Sequence, residues 1–314
     1  MKQRIVIALG GNAVQKQNEG GTYEEQAKNI EEAMRNLLPL AQDDNCELII
    51  THGNGPQVGN ILLQNAAAAQ IVPPVPMFVC GAMSQGQIGY LLQQSLTNLL
   101  KQSGIQREVV TVITQVAVDK NDAAFQSPSK PVGPFYNSED AKKISGETGH
   151  TFKEDADRGY RRVVPSPEPI AIEEIKAIEA LIEKGAIVIA GGGGGIPVVC
   201  EKELLRGVDA VIDKDKASAL LADKLGADLL IILTAIEKVC LFYGQPKEVK
   251  LDSLNIEEAQ RYVNEGHFAD GSMRPKIEAV INFIKRDPER KALIAQANSL
   301  KEALEQKNGT WIKY

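Results

Sequence analysis

Short apolar runs recur along the chain, separated by longer segments of helical period. The runs RIVIAL (Arg4–Leu9), CELIITH (Cys46–His52), VVTVITQVAV (Val109–Val118), AIVIA (Ala186–Ala190), ADLLIILT (Ala227–Thr234), VCLFY (Val239–Tyr243) and KALIA (Lys291–Ala295) carry few charges. Strands covered on both faces read this way, because neither face meets water. Between them, apolar residues return every three or four positions in Glu24–Leu40, Gln57–Ala69, Ser84–Lys101, Ile172–Lys184, Lys216–Leu225, Ile256–Asn264 and Lys276–Lys285, which predicts helices. The alternation predicts an α/β protein with a mainly parallel, doubly covered sheet.

One region departs from this rhythm. From Asp119 to Pro169 the chain is rich in proline, glycine and charge. Fifty or so residues of bare loop are uncommon in a compact domain, so a small excursion with its own hairpins, projecting over the sheet as a lid, fits better. Around Gly185–Gly207 the chain passes from an N-terminal half, about 1–205, to a C-terminal half, about 206–314, of one continuous sheet.

With 314 residues the chain is long enough for a sizeable core, and its formal net charge of −6 argues against a nucleic-acid surface or a polybasic membrane patch. Cys46, Cys80, Cys200 and Cys240 are far apart and form no CxxC or Cys/His cluster, so they read as buried free thiols. A strand begins within a few residues of Met1, leaving no room for a signal peptide, and no apolar run is long enough to span a membrane. The expectation is a soluble, cytoplasmic protein.

Candidate chemistry gathers where strands end. LGGN (Leu9–Asn12), THGNGPQVG (Thr51–Gly59) and AGGGGGIP (Ala190–Pro197) each follow an apolar run. Ligands of open α/β sheets collect at the carboxyl ends of strands, so three such turns suggest one shared crevice. Glycine lets backbone N–H groups approach an anion, and a helix N-terminus adds partial positive charge. Asn12 and Asn54 would supply neutral donors. No GxxxxGK[ST], no GxGxxG on a strand-to-helix turn, and no HRD or DFG triplet occurs. Ser127–Lys130 matches Ser-x-x-Lys without its companion motifs and reads as chance. His52, His150 and His267 have no metal spacing; His52 reads as satisfied at a strand end and His267 as near a ligand.

A phosphate site also needs positive charge, and no lysine precedes Gly10. Most lysines here sit on solvated helix faces, but three stand in restricted or acidic loops: Lys130 in SPSKPVGPF, Lys214 in VIDKDKAS between Asp213 and Asp215, and Lys276 after a proline in GSMRPK.

Together, ALGGNA, HGNGPQVGN, GAMSQGQIGY, PSKPVGPF, KEDADRGYRRVVPSPEP, GGGGIPV, AVIDKDKAS and HFADGSMRPKIEA resemble the carbamate kinases of the amino acid kinase family, in order from the first strand to the last. The resemblance implies an open three-layer αβα sandwich, a protruding subdomain and a homodimer. It implies that Lys130 brings the missing charge from that subdomain, and that Lys214 and Lys276 hold the transferring phosphoryl group from the nucleotide side. Asp213 is then expected to position the lysines. Gly10, Gly11, Asn12, Gly53 and Asn54 are expected to cradle carbamate and phosphoryl oxygens, with the adenine near Tyr243, Met273 and Pro275. A tyrosine at Tyr243 is otherwise equally at home half-buried in a core. The one departure is Asp157, where the family usually has glycine, which bears on the geometry of the lid.

The implied reaction is carbamoyl phosphate and ADP giving carbamate and ATP, with Mg2+ carried largely on the nucleotide phosphates. Carbamate is already an anion, so no general base is required, in keeping with a site of lysines and backbone amides. An acetylglutamate kinase of the same family is disfavoured by the missing lysine before Gly10. A non-catalytic nucleotide or amino-acid sensor is expected to have lost one of the three lysines, and all are present.

Overall fold

The computed structural model describes residues 2–16, 18–155 and 158–314. Its centre is an eight-stranded sheet in the order Ser253–Asn255, Thr310–Lys313, Lys291–Gln296, Leu229–Thr234, Gln3–Leu9, Cys46–His52, Ile187–Ile189, Val109–Thr111. The pairs from Lys291–Gln296 through Val109–Thr111 are all parallel; Thr310–Lys313 runs antiparallel to Lys291–Gln296.

Strand alternation explains the layers. On Gln3–Leu9, Val6 and Ala8 point into a core shared with helices Ile175–Glu183, Lys214–Lys224, Ile256–Asn264 and Met273–Ile284. Ile5, Ile7 and Leu9 point into a second core with helices Tyr23–Ala41, Met77–Gln102 and Leu300–Leu304. A strand buried on both faces cannot alternate apolar with polar, so its sequence is a continuous apolar run. The expected αβα sandwich is the fold observed.

Most strands and helices form where the pattern places them, and the departures have local causes. The run Val109–Val118 is two strands, Val109–Thr111 in the large sheet and Gln115–Val118 in a separate four-stranded sheet with Ile196–Glu201, Leu204–Gly207 and Pro169–Ile172. The Gln85 side-chain amide occupies the break: its oxygen accepts from Thr114 N at 2.8 Å, and its nitrogen donates to Thr114 O at 3.1 Å. Gln85 takes up the Thr114 N–H, while Thr114 O also accepts from Ile196 N at 2.9 Å, so pairing resumes there with the smaller sheet. After the glycine cluster the chain passes through this smaller sheet and returns to the large one at Leu229–Thr234, which pairs with Gln3–Leu9, so strands from both sides of the crossing lie in the one eight-stranded sheet. Helix Met77–Gln102 starts earlier than its period suggests, since Gly81 and Gly86 break the apolar spacing of its first turns without breaking the helix. At Gly89 an added Cβ would lie 2.3 Å from Thr111 Cγ2, so the glycine serves close helix–strand packing. Only Cys240–Leu241 of VCLFY is strand.

Residues 130–164 build a three-stranded sheet, Lys130–Tyr136, Tyr160–Val164 and Thr151–Glu154, with the helix Ser138–Thr148. The paired strands Gln115–Val118 and Pro169–Ile172 flank it in sequence. Asp157 lies outside the described residues. Cys46, Cys80 and Cys240 are buried thiols, but Cys200 is exposed, because its side chain alternates outward on a strand whose other face holds Val199 in the core. Among the described residues no helix is long and apolar enough to cross a membrane.

The glycine cluster Gly191–Gly195 is a fixed turn. Gly195 has φ +89°, and an added Cβ would lie 2.1 Å from Val116 Cγ2. Gly195→Ala therefore combines a disfavoured backbone with overpacking, and the expected loss is about 2–4 kcal/mol, read as a lower urea midpoint at unchanged m-value. A midpoint within error of the parent's would refute this account of the turn.

Candidate functional site

The crevice opens where the strand order reverses. Gln3–Leu9 is followed in sequence by a neighbour on one side, Cys46–His52, while its other neighbour, Leu229–Thr234, comes from late in the chain. Open α/β sheets bind ligands at the carboxyl ends of strands at this switch point. A cavity of about 390 Å³ lies there, lined by Gly10, Gly11, Asn12, Leu233, Thr234, Gln296, Asn298, Lys214 and Lys276, with Lys16 at its edge.

The glycine turns set the floor. Gly11 has nothing within 4 Å of an added Cβ, so its backbone faces open space. At Gly53 an added Cβ would lie 3.2 Å from Lys214 Cδ; the absence of a side chain lets the lysine stem pass. Helix Gly55–Ala68 begins at Asn54 without a side-chain cap, and the Asn54 Nδ2 donates to Ser84 Oγ at 2.7 Å. Uncapped N–H groups at a helix start attract an anion. The third glycine turn packs behind the second: a Cβ on Gly192 would lie 2.4 Å from His52 Nε2, and one on Gly193 2.2 Å from Asn54 Nδ2. Its role in the crevice is to support Asn54 and His52 from behind.

The lysines are organised by two carboxylates. Asp215 lies in the first turn of helix Lys214–Lys224, with only 3% of its side chain exposed. Its Oδ1 accepts from Lys214 Nζ and its Oδ2 from Lys276 Nζ, both at 2.7 Å. Burial pushes the Asp215 carboxyl up, but the two ammonium groups outweigh that and hold it below the usual carboxylate range. Asp213 Oδ2 accepts from Lys130 Nζ at 3.1 Å, while its Oδ1 caps the helix by accepting from Asp215 N at 2.9 Å and Lys216 N at 3.4 Å. This corrects one expectation. Asp213 holds Lys130 alone, and Asp215 orients Lys214 and Lys276. In DKD the helix begins between the two acids, so the first serves as cap and the second turns inward to the core.

Other expected residues are placed less closely. Lys130 does not line the cavity beside Gly10, Gly11 and Asn12; there the positive charge comes from Lys214, Lys276 and Lys16, the last paired with Glu32 at 2.9 Å. Tyr243, Met273 and Pro275 also stand outside that lining. Tyr243 is 67% exposed, beyond Phe242, whose φ of +55° ends the short strand. Met273 packs on the core. His267 Nε2–H donates to Glu265 Oε2 at 3.2 Å, and the ring sits edge-on to Phe242. Asp215 was legible in principle as the acid between two lysines, and Lys16 carried no signal beyond being one charge among many.

The model of the amino acid kinase family matches residues 3–296. Over 314 residues the chain is 51% identical to a carbamate kinase of Pyrococcus horikoshii, covering 99% of both, and over 312 residues 49% identical to carbamate kinase 2 of Staphylococcus epidermidis, again covering 99% of both. The solved carbamate kinase of Giardia lamblia bound to AMP-PNP superimposes with a TM-score of 0.94 at 43% identity, covering 99% of this chain and 98% of that one. The family match and the kinases named above make this αβα sandwich a phosphotransferase, and the chain belongs to the amino acid kinase family. Within that family its full-length relatives named above are carbamate kinases.

His52 supplies a test of the crevice wall. It is buried, with Nδ1–H donating to Gly53 O at 3.0 Å; burial, helped by the nearby Lys214 charge, pulls its pKa from about 6.5 down to about 4. The unfolded chain therefore binds the proton more readily. Stability is whole above about pH 6.5, falls as pH drops, and the loss is complete near pH 4, at roughly 3 kcal/mol from this residue. An imidazole titration followed by NMR in the folded protein should show the neutral ring down to pH 5; a midpoint near 6.5 would contradict the burial argument.

Proposed function

We propose that the chain transfers the phosphoryl group reversibly between carbamoyl phosphate and ADP, giving carbamate and ATP. The observation that carries this reading is the Lys214–Asp215–Lys276 triad: one buried carboxylate holding two ammonium groups beside the glycine turn at the switch point. Each lysine gives Asp215 one hydrogen bond and keeps further N–H groups to offer the phosphoryl oxygens. In-line transfer from an acyl phosphate needs alignment and charge stabilisation more than proton transfer, because carbamate leaves as an anion.

In this reading the N-terminal half, 1–205, takes carbamate and the phosphoryl group on Gly10, Gly11, Asn12, Gly53 and Asn54. The C-terminal half, 206–314, takes the nucleotide, and the unit within about 119–169 is a lid that carries Lys130. Assignment of the adenine to Tyr243, Met273 and Pro275 rests on the family resemblance. Among the described residues no three His, Cys, Asp or Glu side chains stand close enough to hold a metal ion, and Asp215 is engaged by lysines. Mg2+ therefore fits best on the nucleotide phosphates, where it would screen their charge. We further propose a homodimer and a cytoplasmic setting. Support for the dimer comes from Leu63, Ile71, Val72, Val75, Met83 and Tyr90, large apolar side chains exposed on two adjacent helices and the loop between them.

Purified protein given carbamoyl phosphate, ADP and Mg2+ should form ATP, and N-acetylglutamate should be inert as an acceptor of phosphate from ATP. Lys214→Ala or Lys276→Ala should each lower kcat by roughly a hundredfold or more while the protein stays folded. A folded variant with near-parental kcat would remove that lysine from the mechanism, and comparable phosphorylation of N-acetylglutamate would favour an acetylglutamate kinase. Light scattering should give about twice the chain mass of 34.0 kDa, and a monomer at micromolar concentration would refute the dimer.

A further inference from the structure

Asp213 divides its two oxygens between two parts of the molecule. Oδ1 closes the N-terminus of helix Lys214–Lys224, and Oδ2 holds Lys130 at the first position of strand Lys130–Tyr136. The side chains of this pair are 15% and 35% exposed, so the ion pair sits at the edge of solvent rather than in it. The stretch leading into the helix, and the helix's own first turn, are fastened to the lid's returning strand and the segment just after it as well. Asp209 pairs with Arg162 at 3.1 Å, Val211 N donates to Pro165 O at 2.9 Å, and Lys216 pairs with Glu168.

From this arrangement we infer that Asp213 is a positioning residue that ties the seating of the lid to the setting of the helix carrying Lys214 and Asp215. The inference rests on the phosphotransferase reading. One carboxylate fixes the direction of the Lys130 ammonium while leaving its remaining N–H groups free for an anionic ligand. The same carboxylate fixes the first helical turn, and through it the carboxyl of Asp215. When the lid seats, Lys130 reaches the one acid whose other oxygen already defines the helix start. A lid displaced from this position leaves the cap intact and the Lys130 charge undirected.

Asparagine separates the two duties, since it caps a helix as well as aspartate does but offers no charge to Lys130. Asp213→Asn should leave the thermal midpoint nearly unchanged and the KM for ADP unaltered, while kcat for ATP formation falls roughly ten- to a hundredfold. Introduced into Lys130→Ala, the same substitution should have no further effect on kcat, because its effect passes through that lysine. Hydrogen exchange, which needs no activity, should speed up in Lys130–Tyr136 and Tyr160–Val164 and stay unchanged in Lys214–Lys224. Equal loss of kcat in the parental and Lys130→Ala backgrounds, or no change of exchange in the lid strands, would overturn the inference. If the parent enzyme makes no ATP from carbamoyl phosphate, the functional reading fails on its own, and the exchange arm still decides whether Asp213 holds the lid.

Discussion

A buried carboxylate carrying two ammonium groups is the constraint around which the crevice is arranged. Asp215 is nearly inaccessible, and the bonds from Lys214 and Lys276 together offset the cost of a charge there. Removing either lysine leaves a buried ion half-compensated; removing the acid leaves two ammonium groups side by side. The surroundings are shaped to suit this knot. Gly53 is bare so that the Lys214 stem can pass, and helix Lys214–Lys224 starts where Asp213 caps it. Ser218, one turn into that helix, donates to Lys214 O and shares a hydrogen bond with Thr51 at the end of a central strand. The direction of the Lys214 chain is thereby referred to the sheet.

The same economy appears in the turns. Three glycine clusters look alike in sequence but do different work. The first opens backbone to the cavity, the second makes room for a lysine and begins an uncapped helix, and the third lies against the second. In the proposed reading, phosphate meets backbone exposed by the first two and charge delivered by side chains far away in sequence.

Much of this was legible without coordinates. Strands buried on both faces leave apolar runs, so the sandwich could be read from Arg4–Leu9, Cys46–His52 and Ala227–Thr234. Lysines in restricted or acidic loops stood apart from those on solvated helices, and the structure brings Lys214 and Lys276 together through Asp215. What the pattern could not give was which aspartate of DKD faces inward, because that depends on where the helix begins to within one residue. Nor could periodicity split Val109–Val118, since the break is imposed by Gln85 from another helix. The short strands Ser253–Asn255 and Thr310–Lys313 are too brief to carry a period of their own.

The charged knot also bears on how the chain reaches its native state. Lys130 is 83 positions from Asp213, and Lys276 is 61 from Asp215. Contacts so distant in sequence are costly to close early, because loop-closure entropy must be met before they return any energy. The carboxylates and lysines can therefore contribute little to the first collapse, which falls to the apolar strands. Pairing of Gln3–Leu9 with Leu229–Thr234 is what brings the first glycine turn to the cavity that Lys214 and Lys276 also line. The charged crevice is therefore expected to be among the last parts of the fold to assemble.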